Sequence, residues 1–126
     1  MVEPFAAGQP AETWIMPIAH ATPFVTMEIE TINEFAGVLQ TTLRLVSECF
    51  GDPDYNYALH QEPPDETACR CQHWYLQVLP RLKEPAGFEL GSGMAINTLS
   101  PEVAAERMRG PLGGRGAVIP PQGKDV

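Results

Sequence analysis

Apolar residues between positions 31 and 50 recur at steps of three and four: Ile32, Phe35, Val38, Leu39, Leu43, Val46 and Phe50. With 3.6 residues per turn, that spacing gathers them on one stripe and predicts an amphipathic helix over 31–50. Gly51 and Pro53 stand where such a helix must stop, the first tolerating a left-handed residue and the second unable to continue the ladder. Elsewhere the pattern is β-like. The run Glu12-Thr13-Trp14-Ile15-Met16-Pro17 is short, β-prone and closed by proline. Tyr55-Asn56-Tyr57-Ala58-Leu59-His60 is aromatic-rich and bounded by Pro53 and Pro63-Pro64, which predicts a second strand. The third, over 69–79, has the clearest register. Trp74, Leu76 and Val78 alternate onto one face, and Cys71, His73, Tyr75 and Gln77 onto the other. A slip of one residue would exchange the two faces.

Beyond it, 88–90 and 94–97 read as two further β segments around Gly91-Ser92-Gly93, taken as a turn. A short helix over 101–108 follows, with Ser100 as N-cap and Pro101 at its first position. Val103 stands at N3, so a reciprocal capping box is absent. From Gly110 on, eight of seventeen residues are Gly or Pro, and a disordered tail over 110–126 is expected after one domain over 1–109. Strand, helix, several strands and helix in that order describe an α+β fold: an antiparallel sheet with one long and one short helix packed on it.

Composition narrows the function classes. Sixteen acidic residues against eight basic ones give a net charge of −8, which argues against nucleic acid or an anionic membrane as partner. A single phosphorylated small molecule needs only a few local donors and stays open. The sequence holds no apolar run of the roughly 18 residues a membrane span needs, and Met-Val-Glu-Pro-Phe has none of the marks of a signal peptide. Three cysteines without a secretory signal point to free thiols in a reducing compartment, read here as the cytoplasm.

Several spaced segments together resemble the C-terminal domain of galactose-1-phosphate uridylyltransferases, of the histidine-triad-like superfamily. They are Glu12 to Pro17 with His20; Asp54-Tyr55-Asn56-Tyr57 with His60; His73-Trp74-Tyr75-Leu76-Gln77-Val78-Leu79-Pro80-Arg81-Leu82; Ala86-Gly87-Phe88-Glu89-Leu90-Gly91-Ser92-Gly93; and Ile96-Asn97 before Pro101-Glu102-Val103. The resemblance covers about residues 3–109. It implies nucleotidyl transfer in galactose metabolism, from a UDP-sugar to a hexose 1-phosphate, through a uridylyl-histidine formed on a His-x-His-x-Gln motif in the N-terminal half. The C-terminal half carries a related His-Trp-His segment associated with metal and structure. Here that segment reads His73-Trp74-Tyr75.

Tyrosine is a poor substitute for a nucleophilic histidine. A phenol of pKa about 10 is roughly 0.1% ionised at pH 7, so forming the phenolate costs about 4 kcal/mol before attack begins. His73, Tyr75 and Gln77 are therefore read as a vestigial motif, and the domain as inactive alone. His60 and His73, with Cys71, are the candidate ligands for zinc or iron; alternate strand residues lie about 6.6 Å apart on one side, while Cys69 lies about 13 Å from His73. Zinc wants nitrogen at about 2.0–2.1 Å and sulfur at about 2.3 Å, so this string needs a bulge to serve.

Gln77 suits either a phosphate oxygen or solvent, with nothing to choose between them. The resemblance adds Glu89 and Asn97 as sugar contacts. Of the few basic residues near the motif, Arg70, Arg81 and Lys83, all read first as solvated surface, Arg81 is the best placed as a phosphate contact. At His20 the family commonly has basic residues just before the histidine, where this chain has Ile18 and Ala19. Two functions follow: a uridylyltransferase-type half that needs a partner N-terminal half, or a non-catalytic dimerising module that binds a nucleotide or sugar phosphate. A lone half leaves an apolar face to cover, and a homodimer is expected. A histidine-triad hydrolase would need the triad this chain lacks.

Overall fold

The structure is a computed structural model that describes residues 1–18, 23–61 and 73–112. Three strands form one antiparallel sheet: β1 (Thr13–Ile15), β2 (Tyr55–His60) and β3 (Tyr75–Pro80), in the spatial order β1-β3-β2. Three α-helices accompany it: α1 (Ile29–Phe50), α2 (Gly87–Ser92) and α3 (Pro101–Arg109). The fold is α+β, as the order of patterns predicts.

β3 is the central strand and its alternation sets the layers. Trp74, Leu76 and Val78 are buried, while Tyr75 and Gln77 on the opposite face are half-buried. Ile15 of β1 joins Leu76 and Val78 in a cluster against Phe35, Leu39 and Leu43 of α1. Trp74, just before β3, meets Phe24 and Phe35 edge-on, with centroids 5.0 and 5.5 Å away. Each fully buried aliphatic side chain of this kind contributes about 1.5–3 kcal/mol.

A second cluster lies at the far end of α1, where Leu45 and Val46 pack against Met108 of α3. Ser100 caps α3 by accepting from the Val103 N–H at 3.4 Å. α1 ends at Gly51, whose φ of 80° is the left-handed value that favours glycine. The Gly51 N–H donates back to the Ser47 carbonyl at 3.1 Å. Met1 reaches into both clusters, and a backbone bridge from Val2 to Trp14 lays the N-terminus along β1.

Two expectations need correction. The segments 88–90 and 94–97 are not strands. Gly87 to Ser92 coil into α2, Gly93 closes it with φ of 70°, and residues 94–97 have no regular structure. The alternation of Phe88 and Leu90 reads as β, yet both side chains are exposed and no strand among the described residues pairs with them. Local polar bonds decide instead. The Glu89 carboxylate at N3 accepts the Ala86 N–H at 3.2 Å, and the Ser92 hydroxyl donates to the Phe88 carbonyl at 2.7 Å. The helical stripe of α1 is also less uniformly core than its pattern suggests. Ile32 and Val38 are exposed, whereas Thr42 and Leu45, both outside the stripe, are fully buried. Phe35, Leu39 and Leu43 of α1 face the sheet cluster, and Leu45 and Val46 face Met108 of α3. Of the expected tail, Gly110–Leu112 form a single 3-10 turn, and the remainder lies outside the described residues.

Candidate functional site

The face of the sheet turned away from α1 gathers the polar and aromatic residues of the motif. Antiparallel register places Trp14 opposite Gln77 on one side of β3, and His60 opposite Tyr75 on the other. Directly opposed side chains stand about 4.5–5.5 Å apart at Cβ and diagonal ones about 7–8 Å, both within reach of aromatic rings, so Tyr75 meets His60 straight across and Trp14 on the diagonal. The Tyr75 ring stacks on Trp14 with centroids 4.4 Å apart, and on His60 at 4.5 Å. Three rings from three strands thus form one continuous pile, with the phenol in the middle.

A polar chain runs beside the pile. Glu12, only 5% exposed, accepts three hydrogen bonds: from the Trp14 indole N–H at 2.8 Å, the Gln77 amide at 2.7 Å and the Gly8 N–H at 2.9 Å. The Gln77 amide oxygen faces His60 Nε2 at 2.9 Å. A buried carboxylate with three donors is well compensated for the water it has lost. Glu12 went unnoticed in the sequence because its role depends on the pairing of β1 with β3, which no local spacing reveals.

The other expected site residues divide into two groups. Glu89 and Asn97 hold loops together. The Lys83 ammonium donates to Glu89 Oε1 at 2.6 Å, and also to the Ile96 carbonyl. The Ile96 N–H donates to the same carboxylate oxygen at 2.9 Å. These bonds, the ammonium's first, hold the Glu89 carboxyl down at about 2. The Asn97 amide donates to the Ala7 carbonyl at 3.1 Å and its oxygen caps the Leu99 N–H at 3.0 Å. Arg81, by contrast, is exposed just past the end of β3, where its backbone N–H donates to the Asp54 carbonyl at 2.7 Å.

The donors for a metal ion are not assembled among the described residues. His60 Nε2 is engaged by Gln77 and the ring lies flat on Tyr75. His73 is half-buried before β3. No group of three His, Cys, Asp or Glu side chains suited to a metal occurs among the described residues. Cys71, the third expected ligand, lies outside them with Cys69, Arg70 and His20. What is described does not make a tetrahedral zinc site.

Comparison with known proteins gives the family. The chain is 37% identical over 110 residues, 86% of its length, to an ADP-glucose phosphorylase of Arabidopsis thaliana. It is a domain of the galactose-1-phosphate uridylyltransferase type. The crystal structure of an Arabidopsis thaliana ADP-glucose phosphorylase with bound ADP-glucose superposes on 86% of this chain with a TM-score of 0.79 and 37% identity. A uridylyltransferase mutant superposes on 85% with a TM-score of 0.74 and 28% identity. This uridylyltransferase-type domain spans about a third of those proteins: 31% of the phosphorylase sequence and 36% and 38% of the two solved chains. No family model matches the sequence. Among the described residues, no helix is long and apolar enough to cross a membrane.

Proposed function

We propose that this domain serves nucleotidyl transfer between a nucleotide sugar and a sugar phosphate without carrying the transfer step itself. The observation that supports this is the place of Tyr75. A nucleophile must approach phosphorus with its reacting atom free and its proton accepted by a neighbour. Tyr75 stands where the family motif has its second histidine, and its ring is held on both faces by Trp14 and His60. The stack holds the ring by its two faces and leaves it little freedom to present the hydroxyl to phosphorus.

The ligand proposed is a nucleotide sugar or its hexose 1-phosphate. UDP-glucose follows from the resemblance, and ADP-glucose from the relative of higher identity. Arg81 is the first proposed contact, since Glu89 and Asn97 already hold loops and the Gln77 amide is engaged by Glu12 and His60, leaving Gln77 only its second amide hydrogen to offer. A metal shared by His60, His73 and Cys71, zinc or iron, would have to take His60 through Nδ1, since Nε2 is engaged by Gln77. A cytoplasmic setting suits the free thiol of Cys49. Calorimetric titration with ADP-glucose, UDP-glucose and glucose 1-phosphate tests the reading: binding of at least one without its consumption is expected, and steady turnover by the purified chain would contradict it.

A second reading, a dimerising or partner-bound module, rests on uncovered apolar surface. Tyr55, Tyr57 and Leu59 of β2 point to the same side as Leu76 and Val78, but α1 does not reach them. With Phe24, Phe35, Leu39 and Leu43 they line a groove of about 370 Å³. Tyr57 is 70% exposed there. Apolar patches of this kind mark interfaces, and the occupant proposed is a second copy or an N-terminal half of the same family. Sedimentation should show a dimer that Tyr57→Glu converts to monomer; a wild-type monomer at high concentration contradicts the homodimer.

A further inference from the structure

The bonds around Gln77 decide a proton position on His60. An amide side chain can be turned either way, and an imidazole can carry its proton on either nitrogen, so neither is fixed in isolation. Glu12 removes the first ambiguity. Its oxygens already accept from the Trp14 indole and the Gly8 N–H, both of which can only donate. The Gln77 group at 2.7 Å from Glu12 Oε1 must then be the NH₂, since an amide oxygen there would face a carboxylate oxygen. The Gln77 oxygen is therefore the atom 2.9 Å from His60 Nε2. An acceptor needs a donor, so Nε2 bears the hydrogen.

We infer that Glu12, acting through the Gln77 amide, holds His60 as the Nε2–H tautomer, so that Nδ1 is the nitrogen this sheet face offers to a hydrogen-donating ligand such as a sugar hydroxyl. Glu12 is a positioning residue: it stands two hydrogen bonds away from His60, three from any ligand there, and sets which His60 nitrogen has a lone pair. His60 is exposed and stacked on Tyr75, which fixes the plane of its ring. The ligand clause rests on the sugar-phosphate reading above; the tautomer does not.

Long-range ¹H–¹⁵N correlation spectra of the ¹⁵N-labelled chain test it, recorded about two pH units above the ordinary histidine value of about 6.5. His60 is identified by the signal lost in His60→Gln. The expected wild-type pattern is a protonated Nε2 and an unprotonated Nδ1. In Glu12→Gln the amide of Gln77 is free to turn, and the Nδ1–H form should rise to a sizeable share. Gln77→Leu, which leaves the bonds of Glu12 to Trp14 and Gly8 in place, should do the same if Glu12→Gln does not fold. A wild-type His60 protonated at Nδ1, or a tautomer unchanged in the folded variants, overturns the inference. Addition of ADP-glucose or glucose 1-phosphate should move the Nδ1 signal. Shifts elsewhere in the spectrum with Nδ1 unmoved sink the ligand clause alone; no shift anywhere sinks the sugar-phosphate reading and the ligand clause with it, leaving the tautomer result to stand or fall by itself.

Discussion

The imidazole of His60 lies on the phenol ring of Tyr75, their centroids 4.5 Å apart and their planes 12° from parallel. The two residues are opposed across β2 and β3, and Trp14 closes the pile from β1. The ring of Tyr75, rather than its hydroxyl, is what ties the three strands together. Tyr75→Phe should accordingly change stability by less than about 0.5 kcal/mol. Tyr75→Ala removes two aromatic contacts and a half-buried ring and should cost about 2–4 kcal/mol. Urea unfolding separates the cases; equal losses in both variants would mean that the hydroxyl, not the stack, is what matters.

Burial pushes the Glu3 carboxyl up to about 7, helped by the nearby charge of Glu12 and opposed by the Thr13 hydroxyl at 3.3 Å. Its Oε2 is buried with no hydrogen-bond partner among the described residues. The folded value lies above the ordinary 4.5, so the folded chain holds this proton more tightly than the unfolded one. The resulting stability is full below about pH 4.5 and is lost as pH rises through about 7. Glu3→Gln should flatten that decline, seen as a smaller difference between urea midpoints taken on either side of the window. An unchanged difference would place the pH dependence elsewhere.

Glu89 acts in the opposite sense. Lys83 first, then the N–H groups of Ile96 and Ala86, hold its carboxyl near 2, below the ordinary 4.5. Its contribution is present above about pH 4.5 and disappears as pH falls through about 2. Glu89→Gln should raise the pH at which acid unfolding begins and loosen residues 83–96, read by amide hydrogen exchange. A variant that unfolds in acid like the wild type would show that the Lys83 pair is incidental.

These contacts show what the sequence could and could not convey. β2, α3 and the end of α1 were legible because turn and cap residues mark them locally: Pro53 and the Pro63-Pro64 pair around β2, Ser100 and Pro101 at α3, Gly51 after α1. The face assignment of β3 was legible because a period of two leaves one register that buries Trp74, Leu76 and Val78. α2 was not, since Phe88 and Leu90 mimic a strand whose apolar face nothing covers. The site was half legible. Motif residues Tyr75 and Gln77 fell on the predicted face, but the part played by Glu12 arises from β1 lying beside β3, a pairing between residues 65 positions apart. Likewise the bonds of Glu89 to Lys83 and Ile96, and of Asn97 to Ala7, form only on folding and leave no local mark in the sequence.

The mass of the intact protein tests most directly the proposal that Tyr75 leaves this domain without a nucleophile for nucleotidyl transfer. Incubated with ADP-glucose and, separately, with UDP-glucose, the wild-type chain should keep its unmodified mass, because a neutral phenol is a poor nucleophile toward phosphorus. An added adenylyl or uridylyl group, mapped by peptide fragmentation to Tyr75, would contradict the account and make the stacked phenol a working nucleophile.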